Sequence, residues 1–359
     1  MSLLGHEEVV VHRGERSGVS LVIAIHSTVL GPSLGGARLW RYGALGDGIA
    51  DALRLSRAMT YKAAAAGLKL GGGKAVLCLP PGRELDPAAR RDLMLDLGDL
   101  VESLDGRYVT AEDVGTGTAD MATIAEHTEY VVGKPVEDGG SGDPSPITAL
   151  GVESAIRACC EHRFGSADLG GRLMAVVGLG HVGLPLAERL KAAGAELLVS
   201  DIDPEKRTEA ERLGAGWLDP DEAMTAECDV LAPCALGGAV NPDNVESLRC
   251  EIVCGSANNV LADDSVAAEL TARGILYAPD FIANAGGLIN VYGELRDLDH
   301  ARIDELVDGI GEALRRVFEV ASARSVTPLE AARAVADDAL EAAQDAASEA
   351  TSAGFGLAV

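Results

Sequence analysis

Residues 172–203 read RLMAVVGLGHVGLPLAERLKAAGAELLVSDID. An apolar run, Leu173 to Val177, leads straight into Gly178-Leu-Gly180-His-Val-Gly183. The glycines open a segment with apolar residues at helical spacing, and a second apolar run ends at Asp201, 23 residues after Gly178. Strand, glycine turn, helix, strand and acidic residue is the order a dinucleotide-binding βαβ unit requires. Gly178 permits the tight turn, Gly180 lets backbone approach a pyrophosphate, and Gly183 lets the helix pack on the strand. The pyrophosphate is expected at the helix N-terminus. Asp201 would accept hydrogen bonds from a ribose and repel a 2′-phosphate, which favours NAD over NADP. Asp203 reinforces that reading, whereas Lys206 and Arg207 argue against it.

Working outward, the same alternation continues. CDVLAPC, EIVCGSA and GILYAPD read as further strands, implying a mostly parallel sheet with helices on both faces. Residues 137–146, EDGGSGDPSP, read as a linker, with a helix from about Thr148. In the first third, SGVSLVIAIHST reads as a strand, residues 47–67 as a helix stopped by Gly67, and KAVLCLP as a short buried strand. Asp86-Pro87 opens a helix as N-cap and N1, and GRYVTAEDVGT is a strand running into a loop. The last 55 residues read as helical, ending in an Ala/Glu/Asp-rich helix and a short tail, SAGFGLAV.

Composition narrows the function. The chain has 359 residues and a formal net charge of −26, which weighs against nucleic acid or anionic membrane as a partner. With 47% hydrophobic residues it can build packed cores, and its length suggests about two domains. The seven cysteines sit mostly in apolar runs and lack zinc-site spacing, so no metal is expected. No signal-peptide core and no membrane-length apolar run is read, and the expected location is cytoplasmic.

Lysine is the scarce residue: six in all, three of them between positions 62 and 74. An ammonium can titrate when desolvated and a guanidinium effectively cannot, so retained lysines point to chemistry. In MTYKAAAAGLKLGGGKAV, Lys62 sits late in a helix and Lys74 follows three glycines. The pattern is not a phosphate-binding GxxxxGK[ST] loop. Gly71, Gly72 and Gly73 suggest close approach of the backbone to a ligand or a packed helix. In TAEDVGTGTADM, Asp113 leaves a strand end for a Gly/Thr loop.

Taken in order, GPSLGGARLW (31–40), MTYK (59–62), LGGGKAV (70–76), TAEDVGT (110–116), GSGDPSPITALGV (140–152), VVGLGHVG, APCALGGAVN (232–241), GSANNVL (255–261) and PDFIANAGGLINV (279–291) resemble the amino-acid dehydrogenases of glutamate, leucine, phenylalanine and valine. The resemblance implies a two-domain α/β chain with a cleft between the domains. A substrate-binding and oligomerisation domain would take 1–140 with 326–359 returning to it, and a Rossmann-type NAD-binding domain 141–325. The linker and the segment near Gly286–Gly287 would be hinges. The implied reaction is reversible: an L-amino acid, NAD and water give a 2-oxo acid, NADH and ammonium. Lys62 would bind the α-carboxylate, Lys74 would polarise the carbonyl and activate water, and Asp113 would be the general acid and base. Two facing ammonium groups and burial should depress a lysine pKa and set a high pH optimum.

Glutamate-specific members carry a lysine just before the paired glycines, where this chain has Leu34, so the side chain handled here should be apolar. Leu34, Gly35, Met59 and Val291 match pocket positions. Thr148, Asn258 and Asn284 match positions near the nicotinamide or its ribose and join Gly178, Gly180, Gly183 and Asp201 as cofactor contacts. Ala63 stands where the family often has Asn after the lysine. Branched aliphatic substrates are the reading adopted. Phenylalanine, then glutamate, then a non-catalytic NAD-binding regulator remain the alternatives. A homo-oligomer is implied.

Overall fold

A computed structural model of the chain describes residues 5–355, which group into two compact units. The first holds the chain through Asp143, Val291–Leu298 and the residues from Ala336 onward; the second holds Pro144–Asn290 and Asp299–Val335.

The first unit contains β1 (Glu8–Arg13), β2 (Ser20–Ser27), β3 (Ser33–Arg41), α1 (Leu45–Ala65), β4 (Gly71–Leu79), α2 (Pro87–Glu102), β5 (Tyr108–Glu112) and α3 (Thr118–Ile124). Its sheet runs β1-β2-β4-β3-β5. β1, β2 and β4 pair antiparallel, while β3 runs parallel to β4 and β5. This sheet is therefore mixed. β1 and β3 are strands that the sequence reading did not include, and the antiparallel β2–β4 pair is what makes the sheet mixed. Glycines normally weaken a strand. In β3 they are needed, because a Cβ on Gly35 would lie 1.8 Å from Gly73 O and one on Gly36 2.5 Å from Glu112 O.

The three glycines of GGGK also lie inside a strand, and all nine residues of β4 are buried. A Cβ on Gly72 would lie 2.1 Å from Thr60 N, so β4 and α1 touch backbone to backbone there. Ser56, Thr60 and Ala63 keep that helix face small and buried. On the other side of the sheet, Ala37, Ala75 and Leu77 pack with Leu93, Leu97 and Met121. α2 starts as its sequence dictates, with Asp86 accepting from Ala89 N–H at 2.8 Å and Pro87 in the first turn.

The second unit begins with α4 (Ser145–Phe164), three residues ahead of the sequence expectation. β6 (Leu173–Val177), α5 (Gly183–Ala192), β7 (Glu196–Ser200), α6 (Arg207–Leu213), β8 (Gly216–Trp217), α7 (Pro220–Ala223), β9 (Glu227–Pro233), β10 (Arg249–Val253), α8 (Ser265–Ala272), β11 (Leu276–Tyr277) and α9 (Asp280–Ala283) follow. The sheet is parallel throughout, in the order β11-β10-β9-β6-β7-β8. From β6 the chain first builds outward through β7 and β8, then returns to add β9 on the other side. That reversal makes the carboxyl ends of β6 and β9 a topological switch point.

α10 (Gly286–Leu295), α11 (His300–Arg324) and α12 (Pro328–Phe355) complete the chain. α12 continues through Phe355, beyond the start of the tail read from the sequence. Residues 356–359 of that tail, and residues 1–4, lie outside the described residues. Among the described residues no helix is long and apolar enough to cross a membrane.

Candidate active site

Register assembles the candidate site of the first unit. Lys74 lies two residues beyond Gly72, so both point to the face of the sheet that α1 covers. Parallel pairing sets Leu34 beside Gly72 and Val109, Gly36 beside Ala111, and Arg38 beside Val76. Leu34, Gly36, Arg38 and Lys74 therefore share one face, and Asp113, one residue past β5, joins them. Gly35 alternates to the opposite face, where its carbonyl accepts the Tyr108 hydroxyl at 2.5 Å.

Lys74 is 5% exposed, and its Nζ lies 2.8 Å from Asp113 Oδ2. Arg38 Nε donates to the same oxygen at 2.8 Å. The Asp113 N–H donates to Thr116 Oγ1 at 3.0 Å, and that hydroxyl donates to Ala37 O at 2.8 Å, fixing the loop after β5. Burial pulls the Lys74 ammonium below the ordinary lysine range, against the opposing pull of Asp113. Burial would raise Asp113, but Lys74 and Arg38 more than offset it and hold the carboxyl low. Arg38, a cation the sequence reading did not single out, also lowers Lys74.

Lys62 occupies the last turn of α1, half-buried, and has polar or electrostatic partners of its own. Leu34 is 2% exposed, Met59 is half-buried on α1, and Val291 is buried on α10, 4.0 Å from where a Cβ on Gly133 would stand. Arg38, Gly36 and Asp51 escaped the sequence reading. One arginine among 24 and one carboxylate among 56 carry no signal until β3 is known to be a strand.

In the second unit, the glycine-rich loop lies at the switch point. Gly178 takes φ +102°, a conformation that favours glycine. A Cβ on Gly183 would lie 1.8 Å from Gly178 O, whereas one on Gly180 would meet nothing within 4 Å. The turn and helix are thus packed tight while the loop between them faces open space, as an approaching pyrophosphate needs. Asp201 Oδ2 accepts from Leu179 N–H at 2.7 Å and Oδ1 from Asp203 N–H at 2.9 Å, so the carboxylate braces the glycine loop from the end of β7. Asp203 caps the next turn by accepting from Glu205 N–H. Arg207 lies against the Trp217 ring and pairs with Asp219 at 3.1 Å, so its charge is already engaged.

Asn284 is 5% exposed. Its amide donates to Asn258 Oδ1 at 2.9 Å and to the carbonyls of Ser256 and Ala257, and its own Oδ1 is buried without a partner. Thr148 donates to Pro144 O, and a Cβ on Gly287 would lie 3.1 Å from its hydroxyl. Two apolar side chains missed by the sequence reading, Ile202 at 88% and Leu236 at 80% exposure, follow β7 and β9 on either side of the glycine loop.

Residues 6–130 match the family described as Glu/Leu/Phe/Val dehydrogenase, dimerisation domain, and residues 203–348 match Glutamate/Leucine/Phenylalanine/Valine dehydrogenase. The chain belongs to the Glu/Leu/Phe/Val dehydrogenase family. Residues 153–236 also match the NAD binding domain of the D-isomer specific 2-hydroxyacid dehydrogenases. The enzyme is 43% identical to a leucine dehydrogenase of Thermoactinomyces intermedius, over 95% of this chain and 92% of that one. It is 42% identical to a valine dehydrogenase of Streptomyces virginiae over 95% of both. The crystal structure of L-tryptophan dehydrogenase from Nostoc punctiforme superposes with a TM-score of 0.84 at 39% identity, covering 95% of this chain and 97% of that one. The enzyme is an NAD-dependent oxidoreductase acting on CH–NH2 donors. The orphaned Asn284 oxygen and the open Gly180 fit that cofactor.

Proposed function

We propose that the enzyme oxidatively deaminates a branched aliphatic L-amino acid, using Lys62, Lys74 and Asp113 as its substrate-handling groups. The observation that carries this reading is the buried Lys74–Asp113 pair lying on one sheet face with Leu34. Lys62 holds the α-carboxylate. Asp113 takes a proton from the substrate ammonium, freeing the lone pair that forms the C=N bond. Bound NAD supplies the hydride acceptor. Lys74, as its free amine, takes a proton from the water that attacks the imine carbon, and the ammonium so formed stabilises the negative charge that develops on oxygen. Asp113 returns its proton to nitrogen and takes the proton of the new hydroxyl as the C–N bond breaks, so ammonia leaves and the 2-oxo acid forms, and the protons left on Lys74 and Asp113 pass to ammonia and solvent.

Leu34 selects the side chain. An uncompensated carboxylate placed against it costs several kcal/mol, on the order of 2–7 for a polar group without a partner and more for a charge. In the second unit, the loop that Gly178 turns and Gly183 packs, open at Gly180, would hold the pyrophosphate, and Asp201 would take the ribose. Ile202 and Leu236 would flank the adenine, and Thr148, Asn258 and Asn284 would contact the nicotinamide or its ribose. The dimerisation-domain match over residues 6–130 supports a homo-oligomer, and seven free thiols suit a reducing cytoplasm. One panel tests the reading: NAD reduction at high pH with leucine, valine, isoleucine, phenylalanine, tryptophan and glutamate. Branched substrates should lead. Glutamate as the best substrate would remove the Leu34 argument, and no turnover with any would remove the enzymatic reading.

A further inference from the structure

Arg38 has no part in the chemistry set out above, yet it lies between two carboxylates beside the reacting groups. Its Nε donates to Asp113 Oδ2 at 2.8 Å, and its Nη1 lies 3.2 Å from Asp51 Oδ2. Asp51 is itself fixed, taking the Tyr42 hydroxyl at 2.7 Å and Arg54 Nη2 at 2.7 Å. Lys74 shares Asp113 Oδ2 with Arg38, and among the described residues none donates to Asp113 Oδ1.

We infer that Arg38 is a positioning residue: anchored by Asp51, it clamps Oδ2 of Asp113 so that Oδ1 alone exchanges protons with substrate. The inference rests on the proposed role of Asp113 as acid and base. A guanidinium suits the task for two reasons. Its planar fork engages two carboxylates at fixed angles, and it does not titrate, so it never competes for the proton being moved. Lys74 could not hold the carboxylate alone, since its ammonium is needed at the developing oxygen charge. The remaining groups around this network are Tyr108 and Glu112 from β5, Cys78 from β4 and Arg54 from α1. Tyr108 donates to Gly35 O, and Arg54 pairs with Asp51.

The test compares Arg38→Met, Arg38→Lys, Asp51→Asn and Asp113→Asn in the full-length enzyme with leucine and NAD. Arg38→Met should lower kcat by about a hundredfold, the lower range of general acid–base contributions. The KM for NAD should stay unchanged. The acidic limb of the kcat profile should move up by about one pH unit, because removing a cation raises Asp113 and Lys74 alike. Arg38→Lys should restore part of the limb, since a charge remains, and Asp51→Asn should shift it in the same direction by less.

An Arg38→Met enzyme with kcat within twofold of wild type and an unmoved limb overturns the inference. So does a loss of kcat with the limb unmoved and Arg38→Lys no better, which would mark a purely structural part. If Arg38→Met fails to fold, the Arg38→Lys and Asp51→Asn profiles decide on the same criteria. Asp113→Asn separates the two layers: turnover retained there removes the acid–base reading itself, while turnover lost there with Arg38→Met intact removes only this inference.

Discussion

Lys74 has the lone ammonium among the residues that share the site face of the first sheet, and its environment decides what it can do. Burial makes the charged form costly, so the amine is reached at lower pH than for a free lysine. Deamination should therefore quicken steadily from neutral into alkaline pH; a flat pH–rate profile over that range would contradict it. Lys74→Ala should lower kcat by about a thousandfold, comparable to losing an oxyanion-stabilising donor, with NAD affinity unchanged by fluorescence titration. Scarcity and motif order single out Lys74, Asp113 and Leu34, which the register brings to one face, and they single out Lys62 as well. Neither signal singles out Arg38 or Asp51. Their significance arises only where β3 lies between β4 and β5, and nothing local in the sequence records which strands become neighbours.

At the scale of elements, glycines and one buried carboxylate set the geometry. Gly183→Ala and Gly180→Ala should behave differently although they sit three residues apart. At Gly183 the new Cβ would meet backbone at 1.8 Å, so the variant should melt lower and lose NAD binding together. At Gly180 it meets no protein atom within 4 Å, so the melting temperature should hold while NAD affinity falls. Thermal melts beside NAD titrations would check both. Asp96 on α2 is 3% exposed and holds the turn between β1 and β2. It accepts from Ser17 N–H at 2.8 Å, Ser17 Oγ at 2.6 Å and Arg16 N–H at 3.2 Å. Asp96→Ala should cost about 3 kcal/mol, leaving buried donors without an acceptor.

The pH dependence of that loss follows from the sign of the Asp96 shift. Burial raises the carboxyl, and the Ser17 and Arg16 hydrogen bonds more than offset it, so the folded value lies below the ordinary 3.8. Its stabilisation is therefore present above that value and lost as pH falls below it. Melts of wild type and Asp96→Ala should converge as pH drops below about 4, the unfolded carboxyl range. A gap that stays constant down to pH 3 would exclude the carboxylate as its source.

At the scale of the whole molecule, a net charge of −26 opposes compaction through self-repulsion. Salt that shortens the screening length to roughly 3 Å, at about 1 M, should raise the melting temperature over low-salt buffer. Indifference to salt would show that the ion pairs already neutralise the surface locally. The sequence by itself determined the chemistry on offer. It specified a βαβ unit whose glycines leave room for a pyrophosphate, an acidic strand end, and two lysines and an aspartate at family spacing. These are local facts, written in residue type and short-range order. Only the tertiary structure decided that the first sheet is mixed, that Gly36 and not Gly35 shares the face of Lys74, and that Arg38 lies between Asp113 and Asp51. Those outcomes depend on which strand lies beside which and in what register. Register is fixed by packing between segments far apart in the chain, where no local periodicity can report it.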